Sequence, residues 1–93
     1  MATRKVDFTV TGKDGVQGFW IAVGNKDVPL VNGKGSINLE SPKTHFLVWW
    51  FGGEPGAKLS IIGVVGATTV VEVKQSVIPP GELEGAGSKR FDV

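Results

Sequence analysis

One apolar run constrains the fold of this chain more than any other feature: residues 44–51, Thr-His-Phe-Leu-Val-Trp-Trp-Phe. Pro42 precedes the run and Gly52-Gly53 follow it, which limits it to the length of a strand. Its aromatic and β-branched content predicts a β-strand, because such side chains suit a pleated surface. Alternate side chains of a strand point to opposite faces, and here both faces are apolar. The core of a small domain can cover one face, so the other face must meet solvent, the C-terminal tail or another chain.

The two faces of this strand are therefore predicted to have different roles. The bulkier set is assigned to the core: Leu47, Trp49 and Phe51. The other set, Phe46, Val48 and Trp50, is assigned to the outward face. Trp20 is out of phase with the main apolar side of its own predicted strand, residues 17–23, so it is also expected to point outward. We predict an exposed interaction surface of four residues: Trp20, Phe46, Val48 and Trp50.

The rest of the chain up to residue 78 alternates short apolar runs with turn residues. Val6, Phe8 and Val10 alternate with polar residues, and Asp14-Gly15 predicts a hairpin turn after them. Asn32-Gly33 predicts a two-residue hairpin loop with positive φ at both positions. Six or seven such strands and no helical period predict an all-β fold, a small antiparallel β-sandwich of the immunoglobulin-like or transthyretin-like kind, without helices.

The composition changes at residue 79. Residues 1–78 are predicted to form the sandwich domain, and residues 79–93 a Pro/Gly-rich C-terminal segment. Before Phe91 the segment has only Leu83 and Ala86 as apolar side chains, which is too little apolar surface to order it. It is expected to be mobile or to end in a short edge strand at residues 91–93.

Charge and composition exclude several classes of function. Ten basic and nine acidic residues give a net charge of +1 without a basic stripe, so no nucleic-acid partner is expected. The absence of cysteine excludes disulfides, thiolate metal sites and thiol nucleophiles. The sequence has neither a signal-peptide pattern nor the ~20 apolar residues of a membrane helix. A cytoplasmic or intracellular protein without membrane contact is the default expectation.

No residue pattern predicts a catalytic, cofactor or metal site. His45 is the only histidine, and no nucleophile or carboxylate is placed beside it by a motif. It is expected to be a rim residue with a satisfied hydrogen bond. Glu82 and Glu84 lie in the C-terminal segment, where a general acid–base pair would not be held rigidly. We therefore predict that the protein is not an enzyme and binds no cofactor or metal.

Residues 31–53 carry a resemblance to a known family. They read as a turn, the strand Gly-Lys-Gly-Ser-Ile-Asn-Leu, a short polar link and a long strand that ends in Phe-Gly-Gly. This pattern resembles carboxypeptidase-regulatory-like (transthyretin-like) sandwich domains, although His45 or Phe46 stands where that family tends to have tyrosine. The resemblance implies a sandwich that binds or braces and does not catalyse, and it carries over no functional residue.

These observations favour a non-enzymatic binding or assembly module that acts through protein–protein association, self-association included, by means of an apolar aromatic sheet face. An alternative is a small-ligand or carbohydrate-binding module in which Trp20 stacks with Trp49 or Trp50 as a platform. The lack of tyrosine, common in sugar platforms, counts against that alternative. An enzyme whose site is assembled from residues distant in sequence is the third possibility.

Overall fold

The computed structural model describes residues 2–93, and its regular structure consists of β-strands. The predicted helix-free antiparallel sandwich is confirmed: two four-stranded sheets pack against each other. Eight strands are present in residues 2–93, one or two more than predicted; the two-residue strand Lys26–Asp27 and the full length of the C-terminal strand were not foreseen. In chain order they are β1 (Ala2–Lys13), β2 (Val16–Val23), β3 (Lys26–Asp27), β4 (Lys34–Ser41), β5 (Thr44–Gly53), β6 (Lys58–Val65), β7 (Thr68–Val77) and β8 (Glu84–Asp92).

The first sheet has the order β4-β1-β6-β7 and the second the order β3-β2-β5-β8. β1 and β2 thus lie in different sheets, and the predicted hairpin between them is wrong. Asp14 and Gly15 do adopt positive φ, at 61° and 107°, as that prediction required. Their turn carries the chain across to the other sheet, because turn residues specify a reversal of direction but not which strand will pair.

The core lies between the two sheets and is built from the inward side chains of each. Phe8, Leu59 and Ile61 contribute from the first sheet, and Ile21 and Phe51 from the second, all essentially inaccessible to solvent. Their strands have the period-2 alternation that the sequence predicted, most clearly in β1, where Val6, Phe8 and Val10 are buried between exposed neighbours. No buried side-chain nitrogen or oxygen within residues 2–93 lacks a hydrogen-bond partner.

The positive φ values predicted for the Asn32-Gly33 loop are confirmed, but the hairpin around it is limited to a single bridge between Val31 and Lys34. Asn32 and Gly33 have φ of 54° and 78°, and the flanking residues Val31 and Lys34 exchange backbone hydrogen bonds of 2.8 and 3.1 Å. A Cβ at position 33 would lie 2.5 Å from the carbonyl oxygen of Val10, so glycine is required here by space as well as by φ. The loop leads into β4, which pairs with β1.

The C-terminal segment differs most from its prediction. Glu84–Asp92 form β8, which pairs with β5 over nine consecutive residues without a bulge. The reason is that β5 supplies the apolar surface that β8 lacks. Gly85 and Gly87 stand directly opposite Phe51 and Trp49, and a Cβ at either glycine would lie under 3 Å from the facing ring. The aromatic rings of β5 therefore lie over the glycines of β8, a cross-strand fit that stabilises the edge strand.

Candidate functional site: the outer face of the second sheet

The central strand β5 divides its side chains between core and surface as predicted. Leu47 and Phe51 are fully buried, and Trp49 is 7% exposed with its Nε1 donating to Ser76 Oγ of β7 at 3.1 Å. On the other side of the same strand, Phe46 is 54% exposed and Trp50 38% exposed. Two adjacent tryptophans thus point to opposite sides of one sheet.

The four residues predicted as an interaction surface lie on one side of the second sheet. Trp20 of β2 is 42% exposed and stands directly opposite Trp50 in the antiparallel ladder. Val48 is half-buried between Phe46 and Trp50 and pairs with Ala22. We call this surface, formed by Trp20, Phe46, Val48 and Trp50, the outer aromatic face.

The two exposed indoles are fixed in divergent directions. Trp20 Nε1 donates to Asp27 Oδ1 of β3 at 2.9 Å, and Trp50 Nε1 donates to Glu84 Oε1 of β8 at 2.9 Å. β3 and β8 are the two edges of the sheet, so the rings lean away from each other. They do not form a stacked pair; the ring contacts found within residues 2–93 are those of Phe91 with Phe8 and with His45. The result is an apolar surface whose two indole N–H groups are hydrogen-bonded to carboxylates on the edge strands.

The outside of the first sheet is different in character. Its positions include Lys5, Asp7, Thr9 and Glu72, and its large exposed apolar side chains are Ile62 and Val77, on different strands. The outer aromatic face is therefore specific to one side of the sandwich. Isolated exposed apolar residues are ordinary, whereas contiguous ones are not, and the contiguous exposed set lies on the second sheet.

A shallow groove of about 560 Å³ lies at one end of the outer aromatic face. The Trp50 ring forms one wall and Leu83 contributes to the lining, while Gly18 and Gly52 leave the floor without side chains. The ring lies over Gly52: a Cβ there would be 3.2 Å from Cη2 of Trp50. This groove was not foreseen, since it depends on Gly18 and Gly52 being opposite each other in β2 and β5.

The titratable side chains with close contacts in the structure form individual hydrogen bonds and ion pairs at the surface. His45 Nε2 lies 2.8 Å from the backbone oxygen of Glu40, the satisfied rim contact expected for it. Lys58 donates a hydrogen bond of 2.7 Å to Asp14 and, with its charge, holds the pKa of that exposed carboxyl below its usual value. Across the part of the chain that is described, no group of three or more histidine, aspartate or glutamate side chains is placed to hold a metal ion.

The sequence missed the polar partners of the outer aromatic face. Asp27 belongs to a two-residue strand too short to be recognised, although the Gly24-Asn25 turn before it was a usable signal. Glu84 lies in the segment expected to be mobile, and only the β5–β8 ladder brings it to Trp50.

The described residues contain no helix long and apolar enough to cross a membrane. Comparisons with protein-family models, with curated proteins and with solved structures found no match to this chain.

Proposed function

We propose that this chain is a non-enzymatic binding or assembly module that associates with another protein chain through the outer aromatic face. The observation that carries the proposal is the exposure of Trp20, Phe46 and Trp50 side by side on two paired strands. Aromatic residues are the ones enriched at the centres of protein interfaces, and tryptophan is prominent among those whose truncation costs most binding energy.

The contacts around this face support a preorganised surface. The hydrogen bonds to Asp27 and Glu84 hold both indoles in place before any partner arrives, so little side-chain freedom remains to be lost on binding. Charged residues border the apolar residues: Lys26 and Asp27 on one edge, Glu84 and Arg90 on the other. An apolar centre with a polar rim is the usual anatomy of a specific protein interface.

The test compares capture of proteins from an extract of the native cells by wild-type protein, Trp50→Ala, Phe46→Ala and Ile62→Ala. Ile62 is the matched control, since it is 40% exposed on the outside of the first sheet. We expect a specific partner to be retained by wild type and Ile62→Ala and lost by both face variants, each of which must keep the wild-type circular dichroism. Equal retention of every captured protein by the folded face variants would contradict the proposal.

A second candidate function, the binding of a small ligand or carbohydrate, is favoured by the groove beside Trp50. Its tryptophan wall and open glycine floor would admit a flat ring, while Gln17 and Glu54 at its border offer polar groups. The divergence of the indoles argues against a platform shared by Trp20 and Trp50. A panel of mono- and oligosaccharides titrated against tryptophan fluorescence tests this function, with Gly52→Ser as the variant that fills the groove.

A further inference from the structure

The outer edge of β8 presents backbone groups that the sandwich does not use. Lys43 and Val93 exchange two backbone hydrogen bonds, and the Gly53 N–H donates to Leu83 at the other end of the ladder. Because hydrogen-bonded and non-hydrogen-bonded pairs alternate, the odd-numbered residues of β8 bond to β5 and the even-numbered ones point their N–H and C=O groups away. Five residues therefore offer a free edge: Glu84, Ala86, Ser88, Arg90 and Asp92.

The other three sheet edges are shortened, interrupted or capped. β3 has two residues, and the β6–β7 ladder has two register shifts, while Lys89 Nζ donates to the Glu72 carbonyl of β7 at 2.7 Å. On β4, the backbone N–H and C=O of Lys34 are hydrogen-bonded to Val31 at one end of the strand. At the other end, the Glu40 carbonyl oxygen is in contact with the His45 ring. Such devices suppress edge-to-edge pairing. β8 carries charged side chains, but its ladder with β5 has no register shift, and no hydrogen bond within residues 2–93 caps its outward backbone groups. β7 lies beside residues 89–92 of β8 across an open groove of about 510 Å³ and is not paired with it in a sheet.

The charges on this edge are complementary to those of a second copy in one antiparallel register. With Gly87 facing Gly87 across a two-fold axis, Glu84 of each copy stands opposite Arg90 of the other, and Ala86 opposite Ser88. Neither Glu84 nor Arg90 forms an ion pair inside residues 2–93. Centring the pair on Ser88 instead would set Glu84 against Asp92, and like charges directly opposite are destabilising. In the first register Asp92 would face Glu82 of the other copy, but Glu82 lies before β8 begins, so the Glu84–Arg90 contacts within the paired strands favour the first register.

We propose that two copies of this chain pair through β8 to form a two-fold symmetric dimer with one continuous eight-stranded sheet. The even-numbered residues would form about eight backbone hydrogen bonds, two in each of four residue pairs. Two equivalent Glu84–Arg90 contacts would fix the register, as self-complementarity requires for a two-fold interface. The dimer places the two outer aromatic faces side by side on the same side of the joined sheet, and Glu84 and Arg90, which border each face, would lie at the joint between them.

Sedimentation equilibrium across a wide concentration range tests the dimer with Ser88→Pro and Asn38→Pro. Proline at 88 removes an N–H that points away from β5, so the monomer keeps its ladder while the edge pairing is blocked. The Val10 N–H donates to Gly33 in register with β4, so the odd-numbered residues of β4 bond to β1 and the N–H of Asn38 points away, which makes Asn38 the matched control. We expect wild type and Asn38→Pro to dimerise reversibly and Ser88→Pro to be monomeric with unchanged circular dichroism. A monomeric wild type at all concentrations, or a folded Ser88→Pro that dimerises normally, would overturn the proposal.

A charge exchange tests the register and keeps the proposal decidable if Ser88→Pro does not fold. Arg90→Glu sets like charges opposite each other twice, so the dissociation constant of the dimer should rise by about tenfold or more. Adding Glu84→Arg to it should restore the wild-type constant, and failure of this rescue would refute the register.

Trp50→Ala separates this dimer from the proposed function. Loss of the dimer in Trp50→Ala with retention in Ser88→Pro would show association through the outer aromatic face and overturn pairing through β8. A dimer that persists in Trp50→Ala supports the edge pairing, whether or not this variant still captures a partner from the extract.

Discussion

Truncation of the two adjacent tryptophans of β5 should have very different effects on stability. Trp49 is 7% exposed, bonded to Ser76 and packed over Gly87, so Trp49→Ala leaves a cavity in the core. Removing a buried tryptophan side chain costs about 3–5 kcal/mol. Trp50 is 38% exposed, and its bond to Glu84 lies at the surface, so Trp50→Ala should cost on the order of 1 kcal/mol.

These losses are large compared with the stability available. A chain of 93 residues, at about 0.05–0.15 kcal/mol per residue, is stable by roughly 5–14 kcal/mol. With a urea dependence of about 2 kcal/mol per molar, Trp49→Ala should lower the urea midpoint by roughly 1.5–2.5 M, and Trp50→Ala by about 0.5 M. Urea titrations followed by far-ultraviolet circular dichroism measure both shifts. Equal shifts, or a larger one for Trp50→Ala, would refute the assignment of the two faces.

Three further substitutions test particular contacts. Gly33→Val places a β-branched residue at a φ of 78° and should cost about 1–3 kcal/mol, seen as a fall in melting temperature; an unchanged value would contradict the turn. Gly87→Ala brings a Cβ to 2.3 Å from Cζ2 of Trp49, so hydrogen exchange along β8 should accelerate selectively, and uniform exchange rates would speak against the ring–glycine fit. Lys58→Gln removes the hydrogen bond and charge that lower the pKa of Asp14, so that pKa, followed by NMR, should rise toward 3.8. In wild type this contact stabilises the fold above the unfolded pKa and is lost as pH falls through the folded one, so an unshifted Asp14 would contradict its role.

The sequence was sufficient to predict which side chains of β5 face the core, because the alternation of a strand and the size of its side chains can both be read locally. Leu47, Trp49 and Phe51 could be assigned to the core from their size alone, and the outward position of Trp20 followed from the phase of its own strand. The Asn32-Gly33 loop was equally predictable, since few residues other than asparagine and glycine tolerate its φ values.

What could not be predicted depended on which strands become neighbours. Gly85 and Gly87 weaken a strand considered alone, yet opposite Phe51 and Trp49 they are the residues that leave room for the rings. The hydrogen bond from Trp50 to Glu84 follows from the same pairing. Likewise, the Asp14-Gly15 turn was recognised, but the sheet to which the chain proceeds after it is set by the packing of the whole core.

Hydroxyl-radical footprinting by mass spectrometry tests most directly whether the outer aromatic face contacts a partner. Oxidation of Trp20, Phe46 and Trp50 is measured in dilute buffer and in an extract of the native cells, with Ile62 as the internal reference. The proposed function predicts strong oxidation of all three aromatic residues in buffer and selective protection in the extract, while Ile62 changes little. Equal oxidation of the face in buffer and in extract, relative to Ile62, would contradict it.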